Sequence, residues 1–174
     1  MSNLSNFGAY LVFYSALHSL LASQRVKDRT FTILPWIERP YRFLYSLISV
    51  ILLIPVISAL SGSPLLYEIP DPYATAALCG QVLFGSGFWW SVRSFNVGHF
   101  LGYRVPDPEA PSTFSDSAAY GWCRHPLYFF ASGFLVLKPS VSEAYALFVV
   151  WTVGYFWLGS WIEEARMLRA FGDA

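Results

Sequence analysis

The chain alternates between long apolar runs without charge and short polar connections. A helix that spans a membrane needs about 20 mostly apolar residues, because each residue rises about 1.5 Å along the axis. Four runs approach or reach that length, and each of them is free of Asp, Glu, Lys and Arg. The pattern therefore predicts four membrane-spanning helices, at Leu4–Ala22, Phe43–Leu60, Tyr73–Val92 and Ala144–Ile162.

A fifth apolar run, Leu127–Leu137, has only 11 residues and is too short to cross a bilayer alone. Lys138, Pro139 and Ser140 follow it and interrupt the pattern. We interpret it as a short helix that forms a hairpin with the last helix. The predicted fold is an all-α integral membrane protein with about five transmembrane segments, in a single domain over residues 1–174.

The amino-acid composition is typical of a protein that resides in a lipid bilayer. We therefore expect the bilayer to be one of its partners. Hydrophobic residues make up 55% of the chain and charged residues only 13%, whereas soluble domains carry about 25% charged residues. The mean hydropathy is +0.44. The formal net charge is zero, so the charge balance does not favour nucleic acid as a partner.

The basic residues predict an orientation. Cytoplasmic connections of membrane proteins carry an excess of Lys and Arg. A layout with the amino terminus outside and the carboxyl terminus in the cytoplasm places 10 of the 11 cations on one face, and Lys138 on the other. The positive charges follow the first apolar run, whereas a signal peptide carries them before it, so we expect that run to be a retained helix.

The first candidate motif is Arg124-His125-Pro126-Leu127-Tyr128. Proline is favoured at the first position of a helix, so Pro126 predicts where the short helix begins. A helix amino terminus offers unpaired N–H groups and a partial positive field, and Arg124 adds a planar cation suited to a carboxylate. The alternative is interfacial anchoring, with Arg124 at the headgroups and Tyr128 in an aromatic belt.

The second candidate motif is Glu163-Glu164, which directly follows the last uncharged run. The pattern after it indicates that the helix continues, and an ordinary solvated end with a Glu163–Arg166 ion pair is the alternative. The predicted hairpin would bring Pro126 close to Glu163. A cationic and imidazole side would then face a carboxylate side, which suits a zwitterionic cofactor with a cationic sulfur and ribose hydroxyls.

The two motifs together resemble the signature of small integral-membrane methyltransferases. That superfamily includes isoprenylcysteine carboxyl methyltransferases, phospholipid methyltransferases and bacterial methanethiol S-methyltransferases. His18–Ser23 and Tyr41–Ser49 resemble the last group and the NnrU family. The resemblance implies S-adenosylmethionine in a cytosol-facing pocket, and a bacterial inner membrane as the location. It implies cofactor-binding roles for Arg124, His125, Pro126, Leu127, Tyr128, Glu163 and Glu164.

Asn96–Arg104 is similar to the methanethiol S-methyltransferase group, and His99 and Arg104 are the catalytic candidates beside a small lipophilic or thiol acceptor. Thiol, isoprenylcysteine carboxylate, phospholipid amine and quinone-like acceptors all remain open. A non-catalytic NnrU-like membrane protein linked to respiratory metabolism is the alternative function. We expect no metal, because three histidines without a second cluster of ligands do not form a metal site. His18 is expected to be a packed polar group inside its helix.

Overall fold

The computed structural model describes residues 2–93 and 118–172. At residues 2, 3, 118, 170 and 171 it describes the backbone alone. About 81% of the described residues are helical. The α-helices are α1 (Ser2–Ala22), α2 (Gln24–Ile33), α3 (Tyr41–Ser61), α4 (Tyr73–Arg93), α5 (Pro126–Val136) and α6 (Glu143–Phe171). Two short 3-10 helices lie at Pro35–Ile37 and Ala118–Gly121, and two short strands are β1 (Leu65–Glu68) and β2 (Ser140–Ser142).

Helices α1, α3, α4 and α5 begin and end within two residues of the predicted apolar runs, and α6 begins within one residue of its run. Helix α2 was not predicted, because its segment is polar. The structure divides into two compact units, whose described parts are residues 2–63 with Arg93, and residues 64–92 with 118–172. The prediction of one domain over the whole chain stays a prediction.

In the first unit, α1 and α3 form an antiparallel pair. The Tyr10 hydroxyl donates to the Leu52 carbonyl at 2.8 Å, and the Tyr41 hydroxyl donates to the Leu21 carbonyl at 2.7 Å. His18 lies between these contacts, with Nδ1 3.0 Å from the Ser49 hydroxyl. His18 is thus a packed polar group, as expected.

The second unit contains a small antiparallel sheet that the sequence analysis did not predict. Leu65 pairs with Ser142 and Glu68 pairs with Ser140, with an irregularity before Tyr67. The Ser142 hydroxyl accepts a hydrogen bond from the Tyr145 N–H and so caps the start of α6. The sheet is a small addition to a mainly helical fold, in which the polar turn after α5 pairs with the segment that precedes α4 and satisfies its backbone groups.

Helices α4 and α5 pack closely through glycines. A Cβ at Gly87 would overlap the ring of Phe130, and a Cβ at Gly133 would overlap the ring of Phe84. Each helix therefore presents a glycine to a phenylalanine of the other. Small residues allow membrane helices to approach in this way.

Two described helices are long and apolar enough to cross a membrane, namely α3 and residues Glu143–Arg169 of α6. Only 6% of the most apolar stretch of each is buried inside the protein. Apolar helices whose surfaces remain uncovered by protein are typical of chains that reside in lipid. Helix α5 is apolar but shorter, as predicted. The count of five transmembrane segments stays a prediction.

Candidate functional site

The candidate site forms where the start of α5 meets the carboxyl-terminal third of α6. Pro126 is the first residue of α5 and is buried, and His125 immediately precedes it. The Phe129 N–H donates to the His125 carbonyl at 3.0 Å, so the first turn of the helix begins at His125. On the other side, α6 continues past Ile162 to Phe171, which confirms that Glu163 and Glu164 lie within a continuous helix.

The imidazole of His125 lies between two carboxylates. Its Nδ1 is 3.4 Å from Glu163 Oε2, and its Nε2 is 3.3 Å from Glu164 Oε1. A neutral imidazole carries one N–H and can donate to one of these acids, whereas an imidazolium can donate to both. The His125 side chain is only 16% exposed, and the two carboxylates are 49% and 39% exposed. The acids therefore contact His125 and also face solvent.

Tyr128 fixes the Glu163 carboxylate from a second direction. Its hydroxyl donates to Glu163 Oε1 at 2.7 Å, a length typical of a hydrogen bond to a charged acceptor. Its ring stacks on His125, with centroids 5.7 Å apart, and on Phe156, with centroids 4.8 Å apart. The tyrosine hydroxyl also lies near Gly159, where a Cβ would stand 3.7 Å away. Stacking and hydrogen bonding together hold the Glu163 side chain in one position.

Tyr120 adds a third aromatic group near the acids. Partial burial, together with the negative charge of Glu163, raises the pKa of Tyr120 to about 12. The phenol is therefore neutral across the physiological range and acts as a hydrogen-bonding group.

The two arginines nearest the site in sequence point to solvent and do not pair with its acids. Arg124 is exposed at the start of α5, and Arg166 is exposed on α6. Neither forms an ion pair with an acid among the described residues. Glu163 thus contacts His125 and Tyr128, at the start of α5, instead of forming the Glu163–Arg166 ion pair of the solvated-end alternative.

The structure places the predicted residues as follows. His125 contacts Glu163, Glu164 and Tyr128, and Tyr128 also contacts Glu163. Pro126 begins α5, the helix that carries Tyr128. Leu127 is half-buried on the first turn of α5. The catalytic candidates His99 and Arg104 lie outside the described residues. Their roles, and the cofactor-binding roles, stay predictions.

Sequence reasoning missed three contributors, namely Tyr120, Phe156 and Gly159. Phe156, Gly159 and Glu163 stand at positions i, i+3 and i+7 of α6, so they share one face of the helix. This helical spacing could have predicted Phe156 and Gly159 as neighbours of Glu163, once Glu163 was a candidate site residue. Tyr120 had no such signal, because it belongs to a separate 3-10 helix.

An apolar cavity of about 420 Å³ adjoins the same turn of α5. Its walls are entirely apolar and mainly aromatic: Leu83, Phe84, Trp90, Trp122, Phe129 and Phe130. Trp122 stacks on Phe130 with centroids 5.9 Å apart. Phe129 and Phe130 follow Tyr128 directly in α5, so the polar cluster and the apolar cavity share one turn of helix.

Comparison with known proteins finds a curated relative of similar sequence. Methanethiol S-methyltransferase 1 of Bradyrhizobium diazoefficiens is 27% identical over 176 residues. The aligned region covers 94% of this chain but only 59% of the relative, so the chain spans about three fifths of that protein. No protein-family model and no solved structure match the chain. The similarity suggests the membrane methyltransferase family, in agreement with the motif resemblance.

Proposed function

We propose that the protein is a membrane methyltransferase that uses S-adenosylmethionine and acts on a small or lipophilic acceptor, a thiol or an isoprenylcysteine-like carboxylate. The observation that carries this proposal is the cluster of His125, Tyr128, Glu163 and Glu164. These residues are the two motifs of the family resemblance, and they meet across α5 and α6. The similarity to a methanethiol S-methyltransferase supports the reaction class.

The residues present fit the proposed methyl donor chemically. Two partly exposed carboxylates can accept hydrogen bonds from ribose hydroxyls or an amino group, and they favour a nearby cation. Arg124 is exposed at the start of α5, where its planar fork and the helix N–H groups suit a carboxylate. S-adenosylmethionine would supply an electrophilic methyl group on a sulfonium.

In this proposal the protein's own task is to bind, orient and exclude water. His125 and Tyr128 hold the Glu163 carboxylate in place, so the acid does not have to reorganise when a ligand binds. The apolar walls beside Tyr128 would exclude water from the acceptor. His99 and Arg104 remain our candidates for the residues beside the acceptor, where a cation or a base would favour a reactive thiolate.

We further propose that the acceptor enters from the bilayer. The cavity of Phe84, Trp122, Phe129 and Phe130 offers apolar walls of the kind that bind lipophilic ligands. The proposed location is the inner membrane of a bacterium, with the amino terminus outside, and with the carboxyl terminus and the site on the cytoplasmic side.

Calorimetric titration of the purified protein with S-adenosylmethionine and S-adenosylhomocysteine tests the proposal. We expect saturable binding of both compounds, weakened in the Glu163→Gln variant. Absence of binding by a folded protein would refute the methyltransferase assignment and favour the NnrU-like alternative. A panel of alkyl thiols, prenylcysteines and lipid amines, assayed with labelled donor, then identifies the acceptor.

A further inference from the structure

A second cavity, of about 460 Å³, lies in the first unit, where the end of α1, helix α2 and the start of α3 meet. Its walls combine charged, hydroxyl-bearing and apolar side chains: Ala22, Lys27, Phe31, Glu38, Tyr41, Arg42, Tyr45 and Ser46. None of these residues belongs to the candidate site on α5 and α6. Such a mixture suits a ligand with a charged head and an apolar part.

Lys27 is the most informative residue in this cavity. Its side chain is half-buried, and it forms no ion pair with any described acid. A partly desolvated cation is costly unless an anion balances it. Arg42, on the first turn of α3, lines the same cavity. The two cations come from different helices, and both line the space between them.

The surrounding segment is cationic as a whole. Residues 23–42 contain five cations (Arg25, Lys27, Arg29, Arg39 and Arg42) and two acids (Asp28 and Glu38), so their net charge is 5 − 2 = +3. Glu38 is the single acid among the described residues of the cavity wall, and it opposes Lys27 and Arg42. An anionic ligand complements this field, and the acid weakens its binding.

The position of the cavity indicates the source of the anion. It lies at the amino-terminal end of α3, a helix long and apolar enough to cross a membrane. Ile33, the last residue of α2, and Trp36, three residues later, are 75% and 70% exposed. Exposed apolar and aromatic groups beside cations are typical of segments that lie at the boundary between lipid headgroups and acyl chains.

We propose that this cavity binds the phosphate headgroup of an anionic phospholipid. Lys27 and Arg42 contact the phosphate oxygens, while Phe31 and Tyr41 contact the apolar part of the lipid. Clusters of Lys and Arg next to a membrane helix attract anionic lipids in general. Here the cavity makes the attraction specific, because Lys27 is half-buried whereas Arg29 of the same helix is exposed.

Lipid titration of this chain in detergent micelles tests this proposal, with bound lipid counted by native mass spectrometry. The probes are phosphatidylglycerol, phosphatidylcholine and inorganic phosphate. We expect phosphatidylglycerol to bind at least about tenfold more tightly than phosphatidylcholine, and inorganic phosphate not to displace it at millimolar concentration.

Three variants separate the cavity from general surface charge. Lys27→Gln should weaken phosphatidylglycerol binding about tenfold, the effect of one charged hydrogen bond. Glu38→Gln should strengthen it severalfold, because it removes the opposing charge. Arg29→Gln is the matched control, since it removes an exposed cation from the same helix but does not line the cavity. It should change binding less than twofold.

Three results would overturn the proposal. Equal losses in Lys27→Gln and Arg29→Gln would assign the binding to diffuse surface charge. Displacement of phosphatidylglycerol by inorganic phosphate would make the cavity a site for the free ion. Unchanged phosphatidylglycerol binding in Glu38→Gln would also contradict a site in the cavity. Because this variant is expected to strengthen binding, the test still distinguishes the outcomes if Lys27→Gln folds poorly. Because the readout is lipid binding, it is independent of the proposed methyl transfer.

Discussion

The hydrogen bond between Tyr128 and Glu163 offers the sharpest test of the candidate site. Tyr128→Phe removes only the hydroxyl that donates to Glu163 Oε1 at 2.7 Å. The ring and its stacking on His125 and Phe156 are retained. The variant therefore releases the carboxylate without opening a cavity in the aromatic cluster.

The expected magnitude follows from the exposure of the acceptor. A hydrogen bond to a charged group contributes about 1.5–3 kcal/mol when it is shielded from water. The Glu163 side chain is 49% exposed, so water can replace part of the lost bond, and we expect about 1 kcal/mol. If the ligand needs Glu163 in its present position, its dissociation constant should rise about fivefold, because about 1.4 kcal/mol corresponds to a factor of ten.

Calorimetric titration with S-adenosylhomocysteine measures this change, and Tyr145→Phe is the matched control. The Tyr145 hydroxyl donates to the Leu135 carbonyl at 2.8 Å, so it also links α5 and α6, but at their other ends. Both variants should lower the thermal unfolding midpoint slightly. Only Tyr128→Phe should weaken ligand binding. Equal affinities in the two variants would refute the view that Tyr128 positions Glu163 for a ligand.

Further predictions address the acids, the cation, the helix packing and the orientation. Glu163→Gln should weaken S-adenosylmethionine binding more than Glu164→Gln, because Glu163 contacts both His125 and Tyr128. Calorimetry measures both affinities, and unchanged affinity in both variants would show that the two acids are only solvated surface groups. Arg124→Ala should reduce affinity more than Arg124→Lys, and wild-type affinity in the lysine variant would favour simple anchoring. Gly133→Val should destabilise the protein by about 1–3 kcal/mol, read from thermal unfolding in detergent, because its side chain would overlap a phenylalanine ring; an unchanged midpoint would contradict close packing. A cysteine at position 63, in place of Ser63, should react with an impermeant thiol reagent from outside the cell. Labelling from the cytoplasm alone would show that the predicted orientation is wrong.

The amino-acid sequence by itself determined where the apolar helices lie, but it did not predict the polar helix α2. Uncharged apolar runs predicted α1, α3, α4 and α6, and Pro126 predicted the start of α5, because its ring suits the first position of a helix. These are local properties, since helix formation and helix ends depend on neighbouring residues. The predicted hairpin of α5 and α6 was also confirmed, because a short connection leaves consecutive helices adjacent.

Only the tertiary structure decided which atoms meet. A residue's direction from a helix changes by about 100° per position, so the rotation of α5 against α6 selects the partners of Glu163 and Glu164. The sequence predicted that Pro126 would approach Glu163, but it could not show that His125 lies between both acids. The pairing of β1 with β2 likewise joins segments more than 70 residues apart. Such contacts depend on packing over the whole unit, which no local pattern in the chain specifies.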